Sequence, residues 1–312
     1  MIVNTMTTVP DLLSSGTDYL SKNDIESPRS NTEQILQHIL GINRVELYLH
    51  NQPLSSSQLR DFERKLARRA AHEPLQYILG RVEFMSLPFT VNSSVLIPRP
   101  ETEILVETTI EQCRQRFAFK EQIRVLEIGT GSGCIAIGLA YYLRNAWMTS
   151  LDVSAEALAV ARKNAQRNGV ENRIDFLPLD VTTPRIQDFF SEKFDVLISN
   201  PPYVSAADFE NLPEEIKNFE PTIALHDNAD GLTFFSRIAD LAPTLLLEGG
   251  FVALEVGLDQ AASVGDFFLK SGCSSVDTYQ DLNGIDRVVL CQYQPFQVHG
   301  GLNAQADHLS RI

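Results

Sequence analysis

The feature that most constrains the fold is a regular alternation of short apolar runs and helical segments after residue 122. Runs of four to six apolar residues that end at a turn indicate strands, and longer segments with helical spacing indicate helices. Strands that alternate with helices predict a doubly wound, parallel α/β sheet. The predicted strands are 124–128, 148–151, 174–177, 194–199, 251–256, 275–280 and 287–292, and the predicted helices are 134–143, 155–168 and 258–269. The last two strands should form a hairpin that adds one antiparallel strand.

Residues 10–75 have a different pattern, which predicts a small helical domain. Ser30 and Glu33 have the spacing of a capping box before an apolar helix face, and Gly41 is a plausible stop. A second helix fits residues 59–71, with Ser57 as its candidate N-cap. Its basic face is either solvated or a docking surface for a partner that is itself bound to RNA. That face carries Arg60, Arg64, Lys65, Arg68 and Arg69.

Residues 76–103 connect the two patterns. The runs 82–91 and 95–97 suggest a short hairpin, and a helix should then open at 98–103 with Pro100 near its start. This organisation predicts four parts. They are a helical domain at 1–80, a hairpin and linker at 81–121, an α/β domain at 122–294 and a loose tail at 295–312.

A glycine-rich turn joins predicted strand 124–128 to predicted helix 134–143. It reads Glu127-Ile128-Gly129-Thr130-Gly131-Ser132-Gly133. Glycine permits positive φ and close approach of a ligand, and the helix N-terminus offers free N–H groups. A dinucleotide fingerprint needs a third glycine where Cys134 stands, so the turn favours a different nucleotide ligand over a dinucleotide.

Two acidic positions follow the next two strands. Asp152 ends the second strand, where a carboxylate can accept hydrogen bonds from both hydroxyls of a ribose. Asp180 follows the third strand and is a candidate acceptor for an adenine amino group, with Val181 as an apolar contact to the ring. The alternative for Asp180 is a turn cap.

The tetrad Asn200-Pro201-Pro202-Tyr203 stands directly after the apolar run 194–199. The two prolines fix φ and donate no backbone hydrogen bond, so nearby carbonyls stay free as acceptors. Asn200 adds a side-chain oxygen, and Tyr203 adds an aromatic face that can lie against a planar group. The tetrad therefore predicts a seat for a planar NH2 group. A rigid turn that only ends a strand is the alternative.

The glycine turn with Asp152 resembles that of class I S-adenosylmethionine-dependent methyltransferases, and the tetrad resembles their amino-methylating, N-P-P-Y branch. That branch includes adenine-N6 DNA methyltransferases, some RNA enzymes and protein glutamine-N5 methyltransferases. The tetrad cannot separate them because a carboxamide and a base amine are both planar NH2 groups. From about residue 28 to 293, the chain is similar to the HemK/PrmC family of peptide chain release factor glutamine-N5 methyltransferases. The resemblance is carried by 73–80, 98–103, 125–137, 200–203, 219–221 and 230–231.

This resemblance implies that residues 122–294 form a catalytic domain with a Rossmann-like methyltransferase sheet, and that the helical domain at 1–80 docks the substrate. It implies methyl transfer from S-adenosylmethionine to the glutamine of the Gly-Gly-Gln motif in class 1 release factors. Asn200, Pro201, Pro202 and Tyr203 would then be catalytic. Glu127 would contact the cofactor's amino end or only brace the turn, and Arg99 would pair with its carboxylate or with a protein acid. The implied cofactor-binding residues are Glu127, Gly129, Thr130, Gly131, Ser132, Gly133, Asp152, Asp180, Val181 and Asn200.

Other roles stay open at this point. A related group methylates a glutamine of ribosomal protein uL3, although segment 98–103 and the strand before the glycine turn follow the release-factor form. Duplex DNA is a disfavoured substrate, because the chain has 26 Lys and Arg against 40 Asp and Glu, a net charge of −14. A protein that grips phosphates needs the opposite balance. A binding module without catalysis is disfavoured by the intact turn and tetrad.

The remaining signals concern the cellular setting. The four cysteines have no metal-ligand spacing, so no metal is expected, and they indicate a reduced, cytoplasmic protein. Residues 1–13 lack the basic segment and apolar core of a signal peptide, and no apolar run has the length of a membrane span. We expect a monomer with no membrane partner. The cysteines are Cys113, Cys134, Cys273 and Cys291.

Overall fold

The computed structural model describes residues 8–293, so the predicted tail lies outside the described residues. Five helices make up the N-terminal part and enclose their own apolar cluster, which includes Leu20, Ile35 and Phe62. The helical character predicted for residues 10–75 is confirmed. The helices are α1 (Val9–Ser21), α2 (Pro28–Leu40), α3 (Arg44–Leu49), α4 (Ser56–Ala70) and α5 (Leu75–Leu79).

Two of the predicted helix starts are wrong. Helix α2 begins with Pro28 in its first turn and Ser27 as its N-cap, because the fixed φ of proline suits a first helical turn. Glu33 is therefore inside the helix, where it accepts hydrogen bonds from Arg29 and Arg44 instead of closing a capping box. Helix α4 is capped by Ser55, whose hydroxyl accepts from the backbone of the third helical residue, and not by Ser57.

The predicted end of α2 and the predicted helix start at Pro100 are confirmed, and the predicted hairpin is partly wrong. Gly41 ends α2 with a φ of 68°, a left-handed conformation that glycine adopts without strain. The hairpin predicted from the runs 82–91 and 95–97 is wrong in its second strand, because both of its strands lie within residues 81–90. Its strands are β1 (Arg81–Phe84) and β2 (Leu87–Thr90), and residues 95–97 form no strand. Helix α6 (Pro100–Arg116) opens with Pro100 in its first turn, as expected.

The part of the chain after residue 122 forms a seven-stranded, mixed sheet with helices on both faces. Its strand order is β5-β4-β3-β6-β7-β9-β8. Strand β9 runs in the opposite direction to the other six strands. The predicted doubly wound α/β class, with one antiparallel strand from the terminal hairpin, is confirmed. The strands are β3 (Ile123–Ile128), β4 (Ala146–Asp152), β5 (Ile174–Pro178), β6 (Phe194–Ser199), β7 (Leu246–Glu255), β8 (Ser275–Gln280) and β9 (Asp286–Gln292).

Six helices accompany these strands, and the sequence patterns missed three of them. The predicted ones are α7 (Cys134–Tyr142), α8 (Ala155–Arg167) and α12 (Ala261–Lys270). The missed ones are α9 (Ala206–Phe209), α10 (Glu214–Phe219) and α11 (Thr233–Leu245). Among residues 8–293, no helix is both long and apolar enough to cross a membrane.

The order of the strands decides where a ligand can bind. Strand β3 lies between β4 and β6, so the chain leaves β3 in one direction and returns on its other side. A crevice forms outside the carboxyl ends of the strands at such a switch point. The glycine turn, Asp152 and the tetrad each follow one of these three strand ends.

Candidate active site

A cleft of about 330 Å³ opens at this edge of the sheet. It brings together most of the residues singled out in the sequence, from three separate strand ends. Residues of segment 94–102 and of segment 221–224 form its other walls. The sequence-predicted residues that line it are Gly129, Thr130, Gly131, Ser132, Asp152, Asp180, Val181, Asn200, Pro201 and Pro202.

The glycine turn has the conformation that its sequence requires. Gly129, Gly131 and Gly133 have φ values of 76°, 53° and 82°, in the region that favours glycine. A Cβ on Gly133 would lie 3.0 Å from Ile137 and 3.1 Å from Ala161, so this position also permits close packing of α7 on α8. A Cβ on Gly131 would meet nothing within 4 Å, so this part of the turn is open to a ligand.

Asp152 fastens the turn to the neighbouring strand. One carboxylate oxygen accepts a hydrogen bond from the Gly131 backbone N–H at 2.8 Å, and the other accepts from Ser154 N at 2.9 Å. A carboxylate has about four lone-pair positions, so two remain for further donors. Asp152 therefore keeps the acceptors that two ribose hydroxyls need, while it holds the turn in place.

Glu127 is outside the cleft and braces the turn. It is fully buried, accepts from the Thr130 hydroxyl at 2.5 Å and accepts from the Ala136 backbone N–H at 3.2 Å. Burial raises the pKa of this carboxyl, and the bonds from Thr130 and Ala136 oppose that rise. Of the two roles expected for Glu127, bracing is the one that its contacts support.

Asp180 is at the surface and caps its own turn. Its carboxylate accepts from both the backbone N–H and the hydroxyl of Thr182, at 2.8 and 2.7 Å. It also lines the cleft beside Val181, which is buried, so the acceptor role expected for Asp180 is compatible with the cap. The adenine contact itself stays a prediction.

The tetrad follows β6, and its first residue is held by a buried network. The Ser199 hydroxyl donates to the Ile128 carbonyl at 2.7 Å and so fixes the end of β6 to the end of β3. Asn200 Nδ2 then donates to the Thr102 hydroxyl at 3.2 Å, and that hydroxyl donates to Glu255 at 2.6 Å. The Asn200 side-chain oxygen has no hydrogen-bond donor among residues 8–293, so it is available to a ligand.

Tyr203 occupies a different place from the one that stacking on a substrate would require. Its ring packs beside Gly257, where an added Cβ would come within 3.0 Å, and it does not line the cleft. Its hydroxyl donates to Glu255 at 3.3 Å, and its backbone carbonyl accepts from Gln260 at 2.9 Å. The tyrosine therefore supports the tetrad from behind in this structure. Contact between its ring and a substrate stays a prediction.

Thr102 and Glu255 are site residues that the sequence patterns did not single out. Both are buried, on α6 and at the end of β7, and the buried environment raises the pKa of Glu255 to about 7. The tetrad is thus connected to two elements that lie far from it in the sequence. A signal was present for Glu255, since it is a lone acid at the end of an apolar strand, as Asp152 is.

Arg99 forms a structural ion pair. Its guanidinium contacts the carboxylate of Glu220, which also accepts from the Ile97 backbone N–H at 3.2 Å. Burial raises the pKa of Glu220, and the adjacent Arg99 opposes that rise. The structure shows pairing with a protein acid, but Arg99 also lines the cleft, so its pairing with a cofactor carboxylate stays a prediction.

The basic face of α4 is partly buried and partly exposed. Lys65 and Arg69 are buried, with Lys65 donating to the Ile78 carbonyl at 3.3 Å. Arg69 forms an ion pair of 2.9 Å with Glu215 of α10 and so joins the N-terminal helices to the segment beside the cleft. Arg68 is paired with Glu73. Arg60 and Arg64 are exposed, so a docking role for that part of the face stays a prediction.

Comparison with known proteins gives these features a family. Residues 11–80 match a model described as the PrmC N-terminal domain, and residues 119–226 match a methyltransferase domain. The release factor glutamine methyltransferase of Chlorobaculum tepidum is 39% identical over 288 residues, which covers 92% of this chain and 97% of that protein. That of Geobacter sulfurreducens is 41% identical over 272 residues, covering 87% and 92%. The chain belongs to the release factor glutamine methyltransferase family.

Solved structures agree on the fold of this family member. The hMettl16 catalytic domain in complex with MAT2A 3′UTR hairpin 1 superposes with a TM-score of 0.54 at 15% identity, covering 90% of this chain and 93% of that one. At that identity the likeness concerns the fold alone. The protein is an enzyme of the methyltransferase class, with a Rossmann-like α/β sheet and a PrmC-type N-terminal domain.

Proposed function

We propose that this enzyme transfers the methyl group of S-adenosylmethionine to the side-chain amide nitrogen of a glutamine in a class 1 peptide chain release factor. Two relatives that align over most of this chain are named release factor glutamine methyltransferases. The observation that carries the proposal is the orientation of Asn200, whose nitrogen is bonded inside the protein while its oxygen is free in the cleft. The Gly-Gly-Gln motif as the target sequence is part of the same proposal.

The cleft has the features that this cofactor needs. The open space beside Gly131 accommodates a ligand close to the backbone, and the Asp152 carboxylate retains acceptors for a ribose. Val181 supplies a buried apolar surface at the end of the next strand. When bound, S-adenosylmethionine would supply an electrophilic methyl group on a sulfonium sulfur.

The tetrad would orient a poor nucleophile. An amide nitrogen attacks weakly because its lone pair is delocalised into the carbonyl. The Asn200 Oδ1 atom and the Pro201 carbonyl would accept the two N–H bonds of the substrate amide and direct its lone pair at the methyl group. The new nitrogen–carbon bond would form as the methyl–sulfur bond breaks and the cofactor leaves as a neutral thioether. The extra proton would leave to water, because an N-protonated amide is strongly acidic. Positioning and electrostatic stabilisation would then supply most of the acceleration.

The test is a methyl-transfer assay with labelled cofactor and three acceptors, namely a release factor, ribosomal protein uL3 and DNA. We expect label on the release factor glutamine, and little on uL3 or DNA. Label on uL3 or DNA instead would contradict the proposed substrate. Asn200→Ala should reduce turnover at least a hundredfold while the cofactor still binds, since one preorganised acceptor is lost. Turnover near the wild-type rate would contradict the acceptor role.

The same proposal includes the setting of the reaction. Release factors act in translation, so we propose a cytoplasmic enzyme that meets its protein substrate as a monomer. The Arg69–Glu215 ion pair joins the N-terminal helices to the segment beside the cleft, so a substrate held by those helices would have a defined position relative to Asn200. The role of the N-terminal part in docking is an element of this proposal.

A further inference from the structure

The Asn200 amide has two orientations of nearly equal shape, and only one of them can accept a hydrogen bond from a substrate NH2 group. Exchanging the oxygen and the nitrogen would present two N–H donors to the two N–H donors of the substrate. The backbone of the tetrad does not distinguish these orientations, because it is the same in both. A specific neighbour must therefore select the oxygen for the cleft.

We propose that Thr102 and Glu255 are positioning residues that select the orientation of Asn200, so that its oxygen meets the substrate. This inference rests on the proposed function in one respect, namely that the substrate presents an NH2 group. Neither residue belongs to the tetrad or to the glycine turn. Thr102 is in the first turn of α6 and Glu255 ends β7, so the selection comes from outside the site motif.

The hydrogen of the Thr102 hydroxyl decides which orientation of Asn200 is favoured. A threonine hydroxyl has one hydrogen to donate and lone pairs to accept with. An ionised carboxylate can only accept, so the Thr102 hydroxyl points its hydrogen at Glu255, 2.6 Å away. Its remaining capacity is to accept, and the Asn200 group that can donate to it is Nδ2, at 3.2 Å. The charge on Glu255 thereby places the Asn200 oxygen in the cleft.

Burial makes this selection effective. Thr102 is 2% exposed and Glu255 is 1% exposed, so bulk water does not compete for their hydrogen bonds. A carboxylate in such a place is costly, and a neutral residue would fill the same volume at less cost. The ionised Glu255 carboxylate can only accept hydrogen bonds, and a neutral side chain of the same size does not have this property.

The selection should weaken when Glu255 gains a proton. A carboxylic acid can donate to the Thr102 hydroxyl, which then becomes free to donate to the Asn200 oxygen and to favour the reversed amide. Burial first of all, with nearby Glu101 of α6, raises the pKa of Glu255 to about 7, while Arg287 of β9 opposes the rise. Tyr203 also faces Glu255, and its own pKa is raised by burial, so it remains a donor. We therefore expect kcat to rise with pH through about 7.

Four variants test the proposal against a purely structural role. Thr102→Val keeps the shape and removes the hydroxyl, and Thr102→Ser restores the hydroxyl. Thr109→Val is the matched control, because it removes another buried hydroxyl of α6 that donates only to its own helix, at 2.7 Å. Glu255→Gln removes the ionisable group. The measurements are kcat and KM with a release factor, the cofactor Kd by calorimetry, and the dependence of kcat on pH.

The expected pattern separates kcat from binding. Thr102→Val should lower kcat about tenfold with the cofactor Kd unchanged, which corresponds to one lost hydrogen bond. Thr102→Ser should stay within about threefold of wild type, as should Thr109→Val. In Glu255→Gln the rise of kcat through about pH 7 should disappear. Equal kcat values for Thr102→Val and Thr109→Val would overturn the inference, as would a pH rise that persists in Glu255→Gln.

A second measurement needs no substrate and no correctly folded valine variant. The side-chain NH2 signal of Asn200 in an ¹⁵N-labelled protein should shift with a midpoint near pH 7, and should not do so in Glu255→Gln. A signal that does not titrate in wild type would overturn the inference even if the enzyme methylates release factors. Conversely, a titrating signal in a protein that transfers no methyl group to release factors would refute the proposed function alone.

Discussion

Replacing Glu255 by glutamine should stabilise the protein at alkaline pH, although it removes a charged group. The side chain is 1% exposed, and burial raises its pKa from an ordinary value of 4.5 to about 7. Because the folded-state pKa is the higher one, folding takes up a proton between these two values. The contribution of this group to stability is therefore complete below about pH 4.5 and is lost as pH rises through about 7.

The size of the effect follows from the shift. A displacement of about 2.5 pKa units corresponds to about 3 kcal/mol, of which about 2 kcal/mol falls between pH 5.5 and 8.5. Glutamine has nearly the same shape and does not titrate, so Glu255→Gln should lack this loss. The free energy of unfolding of the variant, relative to wild type, should rise by about 2 kcal/mol between those pH values.

Urea denaturation at several pH values measures this difference. Comparing the variant with wild type at each pH cancels the titration of all other carboxyls, because those are common to both proteins. Glu248→Gln is a suitable control, since its side chain is also on β7 but is exposed. If the two stability curves run parallel within about 0.5 kcal/mol, the buried, ionisable state of Glu255 is refuted.

Four further substitutions, of which Gly249→Ala is a control, probe other contacts. Asp152→Ala should raise the cofactor Kd at least tenfold in a calorimetric titration, because it removes the ribose acceptor and the bond to the glycine turn; an unchanged Kd would exclude the ribose role. Gly231→Ala should destabilise by about 2 kcal/mol or more, because φ is 82° and the new Cβ would overlap the tetrad's last carbonyl. Gly249→Ala, with a φ of 80° and open space, should cost only about 1 kcal/mol. Arg69→Met should cost about 2 kcal/mol in urea denaturation, since it leaves the Asn31 side-chain oxygen and the Glu73 carbonyl without their donor; a cost under 0.5 kcal/mol would exclude a stabilising junction.

The parts of the site that the sequence predicted are those whose chemistry is local. Glycine at positions 129, 131 and 133 is required by positive φ in a turn of a few residues, so the motif and its conformation appear together. Asp152 and Asn200 each directly follow an apolar strand, and parallel strands bring such ends to one edge of the sheet. Periodicity in short windows was therefore enough to assemble most of the cleft.

The parts that the sequence did not predict depend on distant pairs. Thr102 and Glu255 are 153 positions apart, and Arg69 and Glu215 are 146 apart. No short window contains both members of either pair, so their burial could not be read from local patterns. The burial of Lys65 and Arg69 on α4 was missed for this reason, since a basic helix face is the same in sequence whether or not another element covers it. The surroundings of the Tyr203 ring were not predicted for a related reason, because Glu255 and Gly257 lie far from the tetrad in the sequence.

The buried carboxylate connects the two lines of reasoning about this site. The tetrad by itself supplies an amide and free carbonyls, but its recognition of an NH2 group requires that the amide oxygen face outward. Glu255 meets this requirement only while it is ionised, which is the state that costs the folded protein about 3 kcal/mol. A variant that is stabilised by a substitution at Glu255 should therefore have a lower kcat. This is expected where a functional group is kept at the expense of stability. A Glu255→Gln protein that gained stability at pH 8.5 and kept its full kcat would separate these two properties and contradict the positioning role.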